Sequence, residues 1–183
     1  MIDPLDELVD ILDEQGTFTG KTAMKSEAHL LGLFHSAIHV WCYSMKGKVL
    51  LQQRSSQKKT YPLKWDVSVA GHIGAGESPE VGAIREVKEE IGVSISDNEL
   101  EKIEIFKLER RHSPTLWDRE FIHTYLCVLD ENVALTKQES EVHALQWMTL
   151  AEFENRINKQ NSLFVPNSIE RYQRILQHIR LRL

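Results

Sequence analysis

Gly71-His72-Ile73-Gly74-Ala75-Gly76-Glu77-Ser78-Pro79-Glu80-Val81-Gly82-Ala83-Ile84-Arg85-Glu86-Val87-Lys88-Glu89-Glu90-Ile91-Gly92-Val93 reads as a glycine-rich loop feeding a short acidic helix. Ser78 is a good N-cap, Pro79 suits the first helical position, Glu80 favours the helix dipole and Gly92 supplies a C-terminal stop. These signals predict a helix from Pro79 to Ile91. At about 100° per residue, Val81, Ile84, Val87 and Ile91 form one stripe, with Glu86, Glu89 and Glu90 gathered on the opposite, solvent side. Like charges at this spacing cost a helix about 0.2–0.5 kcal/mol per pair. A hard divalent cation would remove that cost, because it takes carboxylate oxygens and keeps positions open for phosphate. A solvated acidic face is the plainer account of an arbitrary Glu-rich helix, so the surrounding pattern has to decide.

Gly71, Glu77, Arg85, Glu86, Val87, Glu89, Glu90, Gly92 and Val93 occupy every fixed position of G-x5-E-x7-R-E-U-x-E-E-x-G-U, where U is a large aliphatic residue. On these residues the chain resembles the Nudix hydrolases. The resemblance implies an α/β fold, an α/β/α sandwich with a mixed β-sheet between helices. It also implies hydrolysis of a diphosphate bond in a nucleoside diphosphate-linked or other alcohol diphosphate, with Mg²⁺ or Mn²⁺ as cofactor. Carried onto this chain, Glu86, Glu89 and Glu90 are the implied metal ligands, Arg85 and Glu77 the pair that orients them, and the backbone carbonyl of Ala70 or Gly71 a further ligand. The general base is open between a helix glutamate and Glu139, Glu141 or Glu120, with Glu141 the first to test outside the helix.

A second likeness, to the isopentenyl-diphosphate isomerase-like branch of the same superfamily, is carried by Leu50 to Arg54, Lys58-Lys59, Pro62, Trp65, Ser68-Val69, Gly71-His72 and Gly76 to Ser78. It implies a second metal site built from His29, His35, His72, Asp118 and Glu120. The isomerases protonate and deprotonate carbon with a cysteine just before the Gly-His pair, and this chain has Ala70 there. They also lack part of the glutamate cluster that is complete here. Both departures favour hydrolysis over isomerisation, and a non-catalytic ligand sensor is the remaining alternative.

The 183 residues fit one domain, divided into an N-terminal extension with a hairpin over 1–36, a core over 37–160 and a C-terminal helix over 161–183. A 42% hydrophobic, 27% charged composition is that of a globular chain. A net charge of −5 argues against a nucleic-acid polymer or a membrane surface as partner and leaves a small-molecule diphosphate. A homodimer is compatible with the sequence. Cys42 and Cys127 sit in apolar runs as small hydrophobes, and the acidic start with no long apolar run makes the cytoplasm the expected location.

Along the chain, Val9 to Leu12 and Thr17 to Thr19 predict the hairpin, and Ser26 to Leu31 a helical turn stopped by Gly32. Ala37 to Tyr43 pairs with Val49 to Arg54, and Trp65 to Ala70 is a strand leading into the glycine loop. Arg54, Lys58 and Lys59 are candidates for the cationic side of a phosphate pocket. Ile103 to Leu108 and Glu120 to Leu129 are strands with a loop, Arg110 to Asp118, between them. Val142 to Met148 is a strand before a helix, and the final helix starts near Asn167-Ser168 with its arginines solvated.

Overall fold

The structure, a computed structural model, describes residues 6–159, 161–166 and 169–183. The expected start of the last helix at Asn167-Ser168 lies outside them. The chain runs β1 (Leu8–Leu12), β2 (Phe18–Met24), α1 (Lys25–Leu31), β3 (His35–Ser44), β4 (Lys48–Arg54), β5 (Trp65–Asp66), β6 (Val69–His72), α2 (Pro79–Ile91), β7 (Leu100–Ser113), β8 (Leu116–Val128), β9 (Val142–Thr149), α3 (Leu150–Lys159) and α4 (Ile169–Arg180). β1 and β2 form a separate antiparallel hairpin. The other strands make one mixed sheet in the order β5-β4-β3-β8-β7, with β6 also on β3 and β9 also on β4; among the described residues β3 and β8 are the strand pair that runs parallel.

Strands buried on both faces read as unbroken apolar runs, and β3 is one. Trp41 and Tyr43 point to a core under α3 and α4 with Phe153, Ile157, Tyr172 and Ile175. Ile38, Val40 and Cys42 point the other way, to a core under α2 with Val87, Ile91 and Tyr125. The helices therefore lie on both faces of a mixed sheet, as the α/β/α expectation has it. Cys42 and Cys127 face each other in register on β3 and β8, buried and free.

The single strand expected over Trp65 to Ala70 is two. β3 pairs with β4 only at Tyr43 and Ser44, then leaves it and pairs with β6 over Ala37 to Val40. β5 stays on β4, so the segment between β5 and β6 fills a wedge where the sheet parts. Ser68, fully buried, closes it: its hydroxyl accepts from Cys42 N at 2.8 Å and donates to Leu50 O at 2.5 Å. These are the backbone groups that the diverging strands leave without a ladder partner.

The expected loop Arg110 to Asp118 is instead the tip of a long hairpin, because the alternating burial of β7 continues to Ser113 and β8 begins at Leu116. Trp117 packs there against Gly32, where a Cβ would collide with its ring. Among the described residues no helix is long and apolar enough to cross a membrane.

Replacing Ser68 by Ala should lower unfolding free energy by about 1–3 kcal/mol, since two buried backbone groups lose their partner. Urea denaturation measures this, and an unchanged midpoint would show that the wedge is sealed by other means.

Candidate active site

The predicted bounds of α2 hold, with the Ser78 hydroxyl accepting from Val81 N and Gly92 in the left-handed region at φ 75°. The predicted faces do not. Val81 is 52% exposed, whereas Glu86 and Glu90 are 8% and 3% exposed; only Glu89 opens to solvent. The helix leans its glutamates onto β6, and Gly71 is what lets it come so close: a Cβ there would run into the Glu86 carboxylate. Glu90 reaches into the wedge, where its Oε2 accepts from Gln52 Nε2 of β4 at 3.0 Å and from Ala70 N of β6 at 3.1 Å.

Arg85 ties the loop to the helix. Its Nε and Nη2 donate to the two oxygens of Glu77, each at 3.0 Å, and Nη2 also donates to His72 O. Nη1 donates to Glu86 at 2.8 Å and Glu89 at 3.2 Å. Glu77 in turn accepts from Gly74 N, so one bidentate pair fixes loop, strand end and two carboxylates.

Burial pushes Glu86 up to about 7, against the pull of Arg85, and pushes Glu90 up to about 8, helped by the neighbouring charge of Glu86. Two carboxyls on one cavity wall thus hold protons that an exposed glutamate would have lost.

Beside them lies a second group. Ligand atoms of His29, His35, His72 and Glu120 fall within 4.8 Å of one another. Asp118 is not in that group: it sits one step back, its carboxylate 3.2 Å from His29 Nδ1 and 2.6 Å from His112 Nε2. Burial takes His35 down to about 4 and His72 to about 3, each helped by neighbouring positive charge. Burial also pulls on His29, but the hydrogen bond to Asp118 and the charge of Glu120 outweigh it and raise its pKa. His35 Nδ1 lies 3.0 Å from Leu33 O, and a carbonyl only accepts, so the neutral ring carries its proton there. His35 Nε2 then carries the lone pair and lies 3.8 Å from Glu120 Oε1, and His72 Nε2 lies 3.4 Å from the same oxygen. Neither nitrogen makes a hydrogen bond to any of the described residues.

Both groups open onto one cavity of about 820 Å³. Lys58, Lys59, Arg54 and Glu141 line it too. Lys58 is paired with Glu141, and Lys59 is exposed. Arg54 is committed to its own loop: Nε donates to Thr60 O, Nη2 to Thr60 Oγ1 and Nη1 to Asp66. That fixes the loop instead of leaving the guanidinium open for a phosphate. Glu139 pairs with Lys137 on the surface.

The sequence reading missed Gln52, His112, Asp66 and Arg171. The strand parting that brings Gln52 to Glu90 and the hairpin that sets His112 beside Asp118 have no local signature. The expectation that Arg171 is solvated fails outright, for it is 2% exposed beneath α4.

The NUDIX domain family model matches residues 33–167. Nudix hydrolase 3 of Arabidopsis thaliana is 33% identical over 97% of this chain, which spans 24% of that protein's length. Isopentenyl-diphosphate Delta-isomerase of Corynebacterium diphtheriae is 32% identical over 96% of this chain and 94% of its own. In fold, the crystal structure of DR0079 from Deinococcus radiodurans superposes with a TM-score of 0.71 at 21% identity, covering 92% of this chain and 98% of that one. The match across most of the sequence, on a sandwich whose α2 carries the full glutamate pattern, means that the chain belongs to the Nudix superfamily and has isopentenyl-diphosphate isomerase-like relatives.

Proposed function

We propose that the protein is a metal-dependent hydrolase that splits a diphosphate bond in an alcohol or nucleoside diphosphate compound. One observation carries the reading: Glu86 and Glu90 are buried acids on the wall of one cavity, Glu86 beside Arg85 and Glu89, and Glu90 beside Glu86 with Lys58 as its neighbouring cation. Uncompensated acids in such a place are what a divalent ion requires. The cradle fits the group, since Gly71 keeps the approach to Glu86 free of side-chain atoms.

Glu86, Glu89 and Glu90 would hold Mg²⁺ or Mn²⁺, with the Ala70 carbonyl beside them. Bound there, the ion supplies charge neutralisation for the diphosphate and acidifies water. Arg85 and Glu77 hold the carboxylates in one orientation, and Lys58 and Lys59 face the phosphate oxygens. Glu141 accepts the proton of the attacking water, in reach of Lys58, which steadies its charge. Water adds its oxygen to one phosphorus, the bridging P–O bond breaks, and the far phosphate leaves with the electron pair. His29, His35, His72 and Glu120 form a second cation site, supported by the two bare Nε2 atoms near one carboxylate oxygen.

That histidine group also favours a second reading, an isomerase-like proton transfer at carbon. Ala70 counts against it, since a methyl group stands where the related isomerases carry their thiol. Heavy-water exchange into isopentenyl diphosphate tests it, and no deuterium uptake is expected.

Glu90→Gln and Glu86→Gln should each cut turnover at least about 100-fold, while the metal-free protein at pH 8 melts no lower than wild type. The sign follows from the raised folded-state pKa values: each carboxyl leaves stability intact below about 4.5 and withdraws it as pH climbs through about 7 or 8. Near-wild-type rates in both variants would remove the assignment.

Magnesium binding should tighten as pH rises from about 6 to about 8 and should release protons, because the same carboxyls must ionise to ligate. Titration calorimetry in two buffers of different ionisation enthalpy reads both effects. A pH-independent affinity without proton release would contradict it.

A further inference from the structure

Asp118 stands opposite Arg110 across the β7–β8 ladder. Opposite charges in that relation attract, yet among the described residues the two make no ion pair. The Arg110 guanidinium carbon lies instead 5.8 Å from the centroid of the Tyr61 ring, and His112 takes the carboxylate. The ladder pairs Arg111 with Trp117 and Ser113 with Leu116, which leaves His112 as the extra residue of a bulge. A bulge re-aims the side chain it carries. Here His112 Nε2 comes to 2.6 Å from Asp118 Oδ2, and the His112 ring meets the Tyr61 ring edge-on, centroids 5.3 Å apart. Tyr61 holds that place in the left-handed region, at φ 49°, a conformation that costs a non-glycine residue about 1–3 kcal/mol.

The other oxygen of Asp118, Oδ1, lies 3.2 Å from His29 Nδ1, and Trp117 O lies 3.4 Å from the same nitrogen. An ionised carboxylate and a carbonyl only accept, so the neutral rings carry their protons on His29 Nδ1 and His112 Nε2. His29 is left with Nε2 as its ligand nitrogen, the same end that His35 offers while its Nδ1–H is donated to Leu33 O. An imidazole whose second nitrogen is held by an acceptor keeps its tautomer and its ring orientation for a metal. Both oxygens of Asp118 are thus engaged by histidines, one each, and Asp118 is outside the group of His29, His35, His72 and Glu120.

We propose that His112 is a positioning residue for the histidine group: it anchors Asp118, which turns His29 Nε2 to the cation and is itself no ligand. The inference rests on the reading of that group as a cation site, and it departs from the ligand set that the family resemblance implies for Asp118. A bulged histidine that merely stapled the hairpin tip would leave metal affinity unmoved, which separates the two roles.

Zn²⁺ is the probe, because imidazole nitrogens suit it while excess Mg²⁺ occupies the carboxylate site. The full-length protein in excess Mg²⁺ is titrated with Zn²⁺ by calorimetry. His112→Phe should bind zinc about 10- to 100-fold more weakly than wild type. His112→Gln, whose amide keeps a donor toward Asp118, should recover most of that loss. Thermal melts of the metal-free proteins check that both variants fold. Should His112→Phe not fold, zinc anomalous diffraction from wild-type crystals decides: zinc on His29 with Asp118 still bonded to His112 supports the proposal, and zinc bonded to an Asp118 oxygen overturns it. Equal affinities in wild type and His112→Phe would overturn the positioning role and leave the cation site standing, as would equal losses in His112→Phe and His112→Gln. No zinc uptake by wild type would overturn the cation site itself, and the proposal with it.

Discussion

The sheet opens at one place, and the site depends on that opening. β3 abandons β4 after two paired residues, Ser68 closes the gap in the hydrogen bonding, and Glu90 enters the wedge to accept from one strand on each side. A continuous ladder there would leave α2 lying on a closed surface with its acids turned to water. The parting exchanges a few backbone hydrogen bonds for a buried, oriented carboxylate.

Orientation then spreads outward through Arg85. A single guanidinium holds Glu77, Glu86, Glu89 and the His72 carbonyl, so the glycine loop, the strand end and the helix share one rigid node. Since Gly71 and His72 are neighbours, the same node sets the spacing between the glutamates and the histidine group. Burial that raises the pKa of Glu86 and Glu90 and lowers that of His35 and His72 disfavours their charged forms in the metal-free fold. The two groups face one cavity from adjacent walls.

Local signals were well preserved in the sequence. The N-cap, proline and glycine around α2 fix its ends to the residue, and the apolar runs of β3 and β4 declare strands covered on both faces. The face that α2 buries could not be read that way, because periodicity weighs Val81 and Ile84 as core and glutamates as surface. Burial of the glutamates against β6 inverts that weighting, and the glycine at position 71 is the local sign of it. The stripe argument placed the glutamates of the box pattern on the wrong face, since Glu86 and Glu90 are buried. Long-range placements, such as Arg171 beneath α4 or His112 across a hairpin tip, come from pairings between distant segments and have no counterpart in short-range spacing.

The central claim is that the α2 glutamates together form a cation site in the wedge. Anomalous diffraction from crystals grown with Mn²⁺ tests it directly. The account predicts a manganese peak bridged by the Glu86, Glu89 and Glu90 carboxylates next to the Ala70 carbonyl. A map with manganese only among His29, His35, His72 and Glu120, or with none at all at millimolar metal, would contradict it.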